Sequence, residues 1–90
     1  MIIHLQGQLG VAAEITILTR DVPDNTTVAE LITTIANDLP EEAHSLILKP
    51  DGSLRPSLFI ALDDTHHRDT TTLIPTSTQE LTLMPPMAGG

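Results

Sequence analysis

The spacing of apolar residues along the chain predicts short strands at its beginning. Residues 1–5 form a short β-branched apolar run. Residues 14–19 form a second apolar run, which alternates from Glu14 to Ile17 so that Ile15 and Ile17 share one face. Residues 6–10 between them carry glycines that are typical of a turn. We therefore expect two strands that pair as a hairpin, with a loop between them.

The strongest pattern in the chain is a helical stripe of apolar residues. Thr27 and Glu30 have the spacing of a capping box, in which hydroxyl and carboxylate satisfy amide groups of the first turn. Pro40 lacks an amide donor and disfavours helix in the residue before it, so the helix should end at that residue. The stripe consists of Val28, Leu31, Ile32, Ile35, Ala36 and Leu39.

The region after the helix has a weaker pattern. A short apolar run at residues 46–48 can hold a half-strand, and residues 49–52 read Lys-Pro-Asp-Gly, a turn signal. Residues 58–62 form a compact apolar strand, and the polar residues 63–67 after it predict a solvated loop.

The end of the chain predicts one more full strand. Leu73 and Ile74 lie beside Pro75, which limits them to a brief edge element. Residues 80–84 alternate clearly, which predicts Leu81 and Leu83 facing inward and Thr82 and Met84 facing outward.

The order of these elements favours an α+β fold. A single apolar helix stripe covers one face of one sheet, so we predict a mixed four- to five-stranded sheet with one main helix packed on one face. A hairpin followed by a helical crossover is the β-grasp arrangement used by ubiquitin. We predict a β-grasp domain over residues 1–84 and an extended tail over residues 85–90.

The composition of the chain argues against some classes of function, namely binding to nucleic acid or to a membrane. The chain has 90 residues, enough for one domain, and 40% of them are hydrophobic. Lys and Arg number 4 against 12 Asp and Glu, for a net charge of −8, so we expect neither nucleic acid nor a membrane as a partner. The chain has 0 cysteines and no apolar run of membrane-spanning length, from which we expect a cytoplasmic protein.

The most informative segment is the tail, Pro-Pro-Met-Ala-Gly-Gly. Pro85 and Pro86 end the sheet pairing and direct the last four residues away from the domain. Ala88, Gly89 and Gly90 have almost no side chain, so their backbone suits a narrow channel. The α-carboxylate of Gly90 is then the reactive group that the tail presents.

A carboxylate must be activated before it can acylate anything, and ATP does this by forming an acyl-adenylate. Lys49 lies in a turn without a phosphate-binding loop around it, so the chain lacks an ATP site of its own. We therefore predict no bound cofactor and no catalytic site, with ATP used by a separate adenylating enzyme for which this protein is the substrate.

These residues resemble the MoaD/ThiS family of ubiquitin-like sulfur carriers, and the ending is most similar to that of the small subunit of molybdopterin synthase. The resemblance implies that a ubiquitin-activating-like enzyme adenylates Gly90, that a sulfur donor protein supplies sulfur for a thiocarboxylate, and that Gly89 belongs to the same functional pair. It also implies delivery of the sulfur in molybdopterin or tungstopterin synthesis, with the synthase large subunit as a partner. The chain would act as the carrier subunit of such a sulfurtransferase.

Several residues near the tail are candidates for the contact with the activating enzyme. Exposed methionine adapts to many surfaces, so Met84 and Met87 are predicted to bind the enzyme together with Pro85, Pro86 and Ala88. Phe59 is either part of this patch or part of the core.

Other titratable residues give weaker signals. The histidines His4, His44, His66 and His67 do not form a converging set, so we expect no metal site. The acidic pairs at 41–42 and 63–64 lie in polar surroundings that do not favour acid–base catalysis.

Alternative functions share the same tail. Activated Gly90 can instead be joined to lysines of target proteins, as in a ubiquitin-like modifier, or the sulfur can serve thiamine or another product. A third alternative is a binding module with a passive tail.

Overall fold

A mixed sheet of five strands runs through the protein, which we describe over residues 1–86 from a computed structural model. The strand order is β2-β1-β5-β3-β4, in which β1 and β5 are parallel and the other pairs are antiparallel. The predicted mixed sheet is confirmed, and its last strand is the central one. The strands are β1 (Ile2–Leu5), β2 (Ile17–Thr19), β3 (Phe59–Leu62), β4 (Thr65–His66) and β5 (Glu80–Met84).

Three helices accompany the sheet within the described residues: α1 (Gln8–Ala13), α2 (Val28–Asn37) and α3 (Glu41–Ile47). The main helix, α2, begins as the sequence predicted. Thr27 Oγ1 accepts a hydrogen bond from the Glu30 amide at 3.1 Å, and Glu30 Oε1 accepts one from the Thr27 amide at 3.1 Å. The capping box is therefore complete on both sides.

The predicted loop at residues 6–10 is wrong, because α1 begins at Gln8. The strands on either side still pair antiparallel, so the predicted pairing is confirmed with a helix inserted in the connection. Gly10 allows α1 to lie close to β1, since a Cβ at this position would be 2.6 Å from the Leu5 carbonyl oxygen. Leu9 and Ala13, one helical turn apart, are buried.

The predicted half-strand at residues 46–48 is also wrong, because α3 extends to Ile47. Ala43 and Ile47 are fully buried, so burial on one helix face outweighs the strand-like composition of the segment. Leu48 makes only an isolated bridge to Leu54.

The solvated loop predicted at residues 63–67 contains a two-residue strand. Leu62 pairs with Thr65, so Asp63 and Asp64 form the turn between β3 and β4, and Asp63 has a φ of 52°. The Asp63 carboxylate accepts hydrogen bonds from the amides of Gln79 and Glu80, which ties this turn to the start of β5. The brief element predicted at Leu73 is an isolated bridge to Thr27.

The core lies between the sheet and the helices. The inward residues of the central strand, Leu81 and Leu83, are 0% exposed, and so are Ile32 and Ile35 of α2 in the same apolar cluster. The prediction that Leu81 and Leu83 face inward is confirmed. Among residues 1–86, no helix has the length and hydrophobicity needed to cross a bilayer.

Candidate functional site at the end of the central strand

The end of β5 fixes the place from which the tail starts. On one side, the Gln6 amide donates to the Leu83 carbonyl oxygen at 2.9 Å. On the other side, Met84 pairs with Phe59 of β3. Because neighbouring strands hold both sides of β5, the chain leaves the sheet in a defined position.

Pro85 and Pro86 differ in their surroundings. Pro85 is buried and Pro86 is exposed, so the first proline still belongs to the packed end of the sheet. Met87, Ala88, Gly89 and Gly90, which carry the predicted chemistry and part of the predicted contact patch, lie outside the described residues.

Met84 and Phe59 are brought together on the outer face of the sheet. Residues directly opposite each other in an antiparallel pair project from the same face, and both side chains are half-buried. Ile60 and Leu83, the next opposed pair, face the core instead. The structure therefore places Phe59 outside the core and beside Met84, and we call these two residues the outer patch.

A shallow cavity of about 590 Å³ adjoins Met84 on the β1 side of the sheet. Its lining includes Gly7, Val11 and Ile17. Val11 is 80% exposed and Ile17 is 52% exposed, so apolar surface continues from Met84 across the end of the sheet. Sequence reasoning missed Val11 because the glycines of residues 6–10 predict a loop that leads directly into the next strand.

Phe59 has an aromatic neighbour that the sequence did not indicate. The Phe59 and His66 rings stack with their centroids 4.6 Å apart and an interplanar angle of 22°. The two residues lie on adjacent strands, so the contact depends on the pairing of β3 with β4. The tail therefore starts beside the outer patch, and His66 stacks on the Phe59 ring of that patch.

The other histidines have separate structural partners. The hydrogen bonds join His4 Nε2 to Glu80 Oε1 at 2.7 Å, His44 Nδ1 to the Ala36 carbonyl oxygen at 3.0 Å, and His67 Nε2 to Thr72 Oγ1 at 2.9 Å. In the described part of the chain, three or more His, Asp or Glu side chains do not come together in a group that could hold a metal ion.

Three carboxylates have pKa values that are shifted by local hydrogen bonds. The hydrogen bond from the Thr27 amide lowers the pKa of Glu30. Hydrogen bonds from Ser53 lower the pKa of Asp51, and those from Thr71 lower the pKa of Asp69. All three shifts favour the charged form, which suits helix capping and turns rather than proton donation.

Comparison with known proteins gives structural matches only. No protein-family model and no curated protein sequence matches the chain. SAMP1 from Haloferax volcanii superposes with a TM-score of 0.84 at 21% identity, covering 99% of this chain and 97% of that one. A second structure, of the H. volcanii small archaeal modifier protein 1, gives a TM-score of 0.80 at 20% identity over 96% and 95% of the two chains.

Urm1 from Sulfolobus solfataricus is also similar, with a TM-score of 0.63 at 17% identity over 96% of this chain and 100% of that one. The chain has the ubiquitin-like β-grasp fold. The predicted fold is thus confirmed over nearly the full length of these proteins. The narrower resemblance to molybdopterin synthase rests on the residues of the tail.

Proposed function

We propose that this protein is a ubiquitin-like sulfur carrier in which Gly90 is the C-terminal residue and its carboxylate is the site of chemistry. The observation that carries the proposal is the position of the diglycine sequence, which closely follows the central strand of a β-grasp sheet. In this proposal, a separate ubiquitin-activating-like enzyme binds the domain, and the ATP site of that enzyme receives the tail.

The proposed reaction has three steps. A carboxylate oxygen of Gly90 attacks the α-phosphorus of ATP, pyrophosphate leaves, and an acyl-adenylate forms. The outer sulfur of a persulfide on a sulfur donor protein then attacks the acyl carbon and displaces AMP, which gives an acyl disulfide. A thiol finally attacks the donor's sulfur and breaks the S–S bond, which leaves a thiocarboxylate on Gly90 and a disulfide on the donor. The domain contributes by holding the tail next to the nucleotide, which raises the effective concentration of the carboxylate.

The outer patch supports this role because the activating enzyme can bind the patch while the tail reaches into the active site of the same enzyme. Met84 and Phe59 offer an apolar contact at the root of the tail, and Val11 and Ile17 extend it. From Met84 to Gly90 an extended chain spans roughly 20 Å at about 3.4 Å per residue. That reach allows the domain to dock outside an active site whose channel admits only the small terminal residues.

For the pathway, we propose synthesis of molybdopterin or tungstopterin, in the cytoplasm, with the large subunit of molybdopterin synthase as the receiving partner. The support is the similarity of the residues from Pro85 to Gly90 to the ending of that enzyme's small subunit. Sulfur supply for thiamine uses the same carrier chemistry and differs only in the acceptor.

A second candidate function is protein modification. The name of a structurally similar protein, small archaeal modifier protein 1, favours it. In this case the activated Gly90 carbonyl forms an amide bond with a lysine of a target protein, and AMP or a thiol leaves. Both candidates require activation of the same carboxylate and differ in the nucleophile that attacks it.

Mass spectrometry of the protein isolated from its own cells tests both candidates. A sulfur carrier gains about 16 Da on the C-terminal peptide when oxygen is replaced by sulfur. A modifier with A88R leaves a Gly-Gly remnant on target lysines after digestion with trypsin, because trypsin then cuts before Gly89.

A variant without Gly89 and Gly90 is the control and should show neither product. If the intact protein carries neither the mass gain nor conjugates, and the truncated protein still supports growth that depends on the pathway, the proposed function is wrong. A passive binding module is then the better description.

A further inference from the structure

Positive charge is unevenly distributed over this acidic protein. The chain has 4 Lys and Arg against 12 Asp and Glu. Two of its arginines, Arg55 and Arg68, line one cavity of about 480 Å³ together with His66 and His67. Among the described residues, no Asp or Glu lines this cavity, which we call the basic cavity.

The arginines of the basic cavity differ from the other cations of the chain. Arg20 is paired with Asp38 at 2.6 Å, and Lys49 interacts with the nearby carboxylate of Asp51. Within residues 1–86, neither Arg55 nor Arg68 has a carboxylate at ion-pair distance. Two arginine residues without an acidic partner from the described part of the chain therefore line a shared space.

The walls of the basic cavity are formed by ordered elements. Arg55 Nε donates to the Ser45 carbonyl oxygen at 2.6 Å, which holds its side chain in place. His66 is stacked on Phe59, and the His67 amide donates to the Ile60 carbonyl oxygen at 2.7 Å. Because strand pairing and these hydrogen bonds fix Arg55, His66 and His67, this part of the wall needs little ordering when a ligand binds.

The basic cavity also adjoins the root of the tail. Phe59 lines the cavity and pairs with Met84, the last residue of β5. A partner that receives the tail and contacts the outer patch therefore reaches the cavity as well.

We propose that the basic cavity binds an acidic segment, rich in Asp or Glu, of the protein that receives the tail. This inference rests on the proposed function for the identity of that protein. Its carboxylates pair with the Arg55 and Arg68 guanidinium groups, which are suited to two-point binding of carboxylates. The methylene groups of a glutamate side chain lie against the apolar part of the lining, Leu58 and Phe59.

An acidic segment fits better than a free anion because of the charge of the whole protein. A net charge of −8 repels anions at long range, and this repulsion is screened beyond about 10 Å at 0.1 M salt. A segment that belongs to a docked partner is already held near the cavity and benefits from a high effective concentration. The cavity then fixes the orientation of docking, since the acidic surface elsewhere on the domain repels the same segment.

The test is a titration of the full-length, ¹⁵N-labelled protein followed by NMR at about 0.1 M salt, where long-range repulsion is screened. The probe is the peptide acetyl-Glu-Glu-amide, and the matched control probe is acetyl-Gln-Gln-amide. We expect the acidic peptide to shift the amide signals of residues 57–60 and 66–68, and the neutral peptide to leave them unchanged.

Variants assign the effect to the arginines. R68Q should weaken binding of the acidic peptide by about two- to fivefold, the range of a single exposed ion pair, and R55Q with R68Q should abolish it. K49Q removes the same charge outside the cavity and should leave binding unchanged. Arg68 is exposed, so its variant remains informative if the Arg55 change disturbs α3.

Three results would overturn the inference. In the first, the acidic peptide shifts signals elsewhere, or K49Q weakens binding as much as R68Q does. In the second, inorganic phosphate at the same concentration produces the same shifts with equal affinity, which identifies a small-anion site. In the third, deletion of Gly89 and Gly90 itself shifts the cavity signals and tightens peptide binding, which identifies the chain's own tail as the occupant.

The titration does not depend on activation of Gly90. Failure of the cavity proposal is therefore distinct from failure of the sulfur-carrier proposal, which the C-terminal mass decides.

Discussion

The two faces of the central strand have opposite surroundings. Leu81 and Leu83 on the inner face are 0% exposed and belong to the core cluster. Thr82 and Met84 on the outer face remain partly exposed, beside Phe59 of the neighbouring strand. Because side chains alternate along a strand, one short segment contributes to the core on one face and to the exposed surface on the other. Substitutions on the inner face should lower the stability of the fold more than substitutions on the outer face do.

The largest expected effect is that of L83A. Loss of a fully buried leucine side chain leaves a cavity in the core and should lower the free energy of unfolding by about 2–5 kcal/mol. Urea denaturation followed by circular dichroism measures this. T82A is the matched control on the other face of the same strand and should cost less than about 1 kcal/mol. Equal losses for the two variants would contradict the separation of the faces.

A smaller loss is expected for G10A, which tests how α1 covers the inner face. The added Cβ would lie 2.6 Å from the Leu5 carbonyl oxygen and 3.1 Å from Thr16 Cγ2, so backbone must move. We expect a loss of about 1–3 kcal/mol in the same assay. V11A, in the same helix at an 80% exposed position, should change stability by less than about 0.5 kcal/mol. An unaffected G10A protein would mean that α1 can lie farther from β1.

T27A should remove the side-chain part of the capping box and cost about 1 kcal/mol. The change leaves the Glu30 amide without its acceptor at the start of α2, the main helix over the core. T34A is a control within the same helix. The Thr34 hydroxyl donates to the Glu30 carbonyl oxygen and does not cap the helix, and alanine is a better helix former than threonine. We expect T34A to be neutral or slightly stabilising, and a loss equal to that of T27A would argue against a capping effect.

The pH dependence of stability gives a finer test of the same cap. The hydrogen bond from the Thr27 amide lowers the pKa of Glu30 in the folded protein, so ionised Glu30 stabilises the fold above its unfolded pKa. This contribution is lost as the pH falls through the lower, folded pKa. The difference in free energy of unfolding between the wild-type protein and E30Q should therefore be smaller at about pH 3 than at about pH 6. A difference that grows on acidification would contradict this.

The sequence predicted the elements whose signals are local. Strand β5 alternates through its whole length and lies where it was predicted. Helix α2 has a cap and an apolar stripe, and its start was predicted correctly, but it ends at Asn37, before the predicted end at Leu39. Helix α1 has 6 residues and no side-chain cap, and it forms because Leu9 and Ala13 become buried against the rest of the fold. That burial depends on tertiary contacts that a local pattern does not contain.

The same distinction applies to the candidate site. The tail and Met84 could be identified from adjacent residues in the sequence. The stacking of Phe59 on His66 and the position of Arg55 and Arg68 around one cavity depend on strand pairing and loop packing. Spacing along the chain did not indicate these contacts.

The smallest effect on stability is expected for M84T, which changes only the outer face of β5. Threonine suits an exposed strand position and removes only a half-buried side chain, so the loss should stay below about 1 kcal/mol. The apolar contact beside Phe59 is lost nevertheless. If Gly90 carries a thiocarboxylate as we propose, the fraction of protein that carries it in its own cells should fall several-fold. The measurement pairs urea denaturation with the intact mass of the same preparation. If M84T lost as much stability as L83A, Met84 would belong to the folding core, and the outer face would no longer be separable from it.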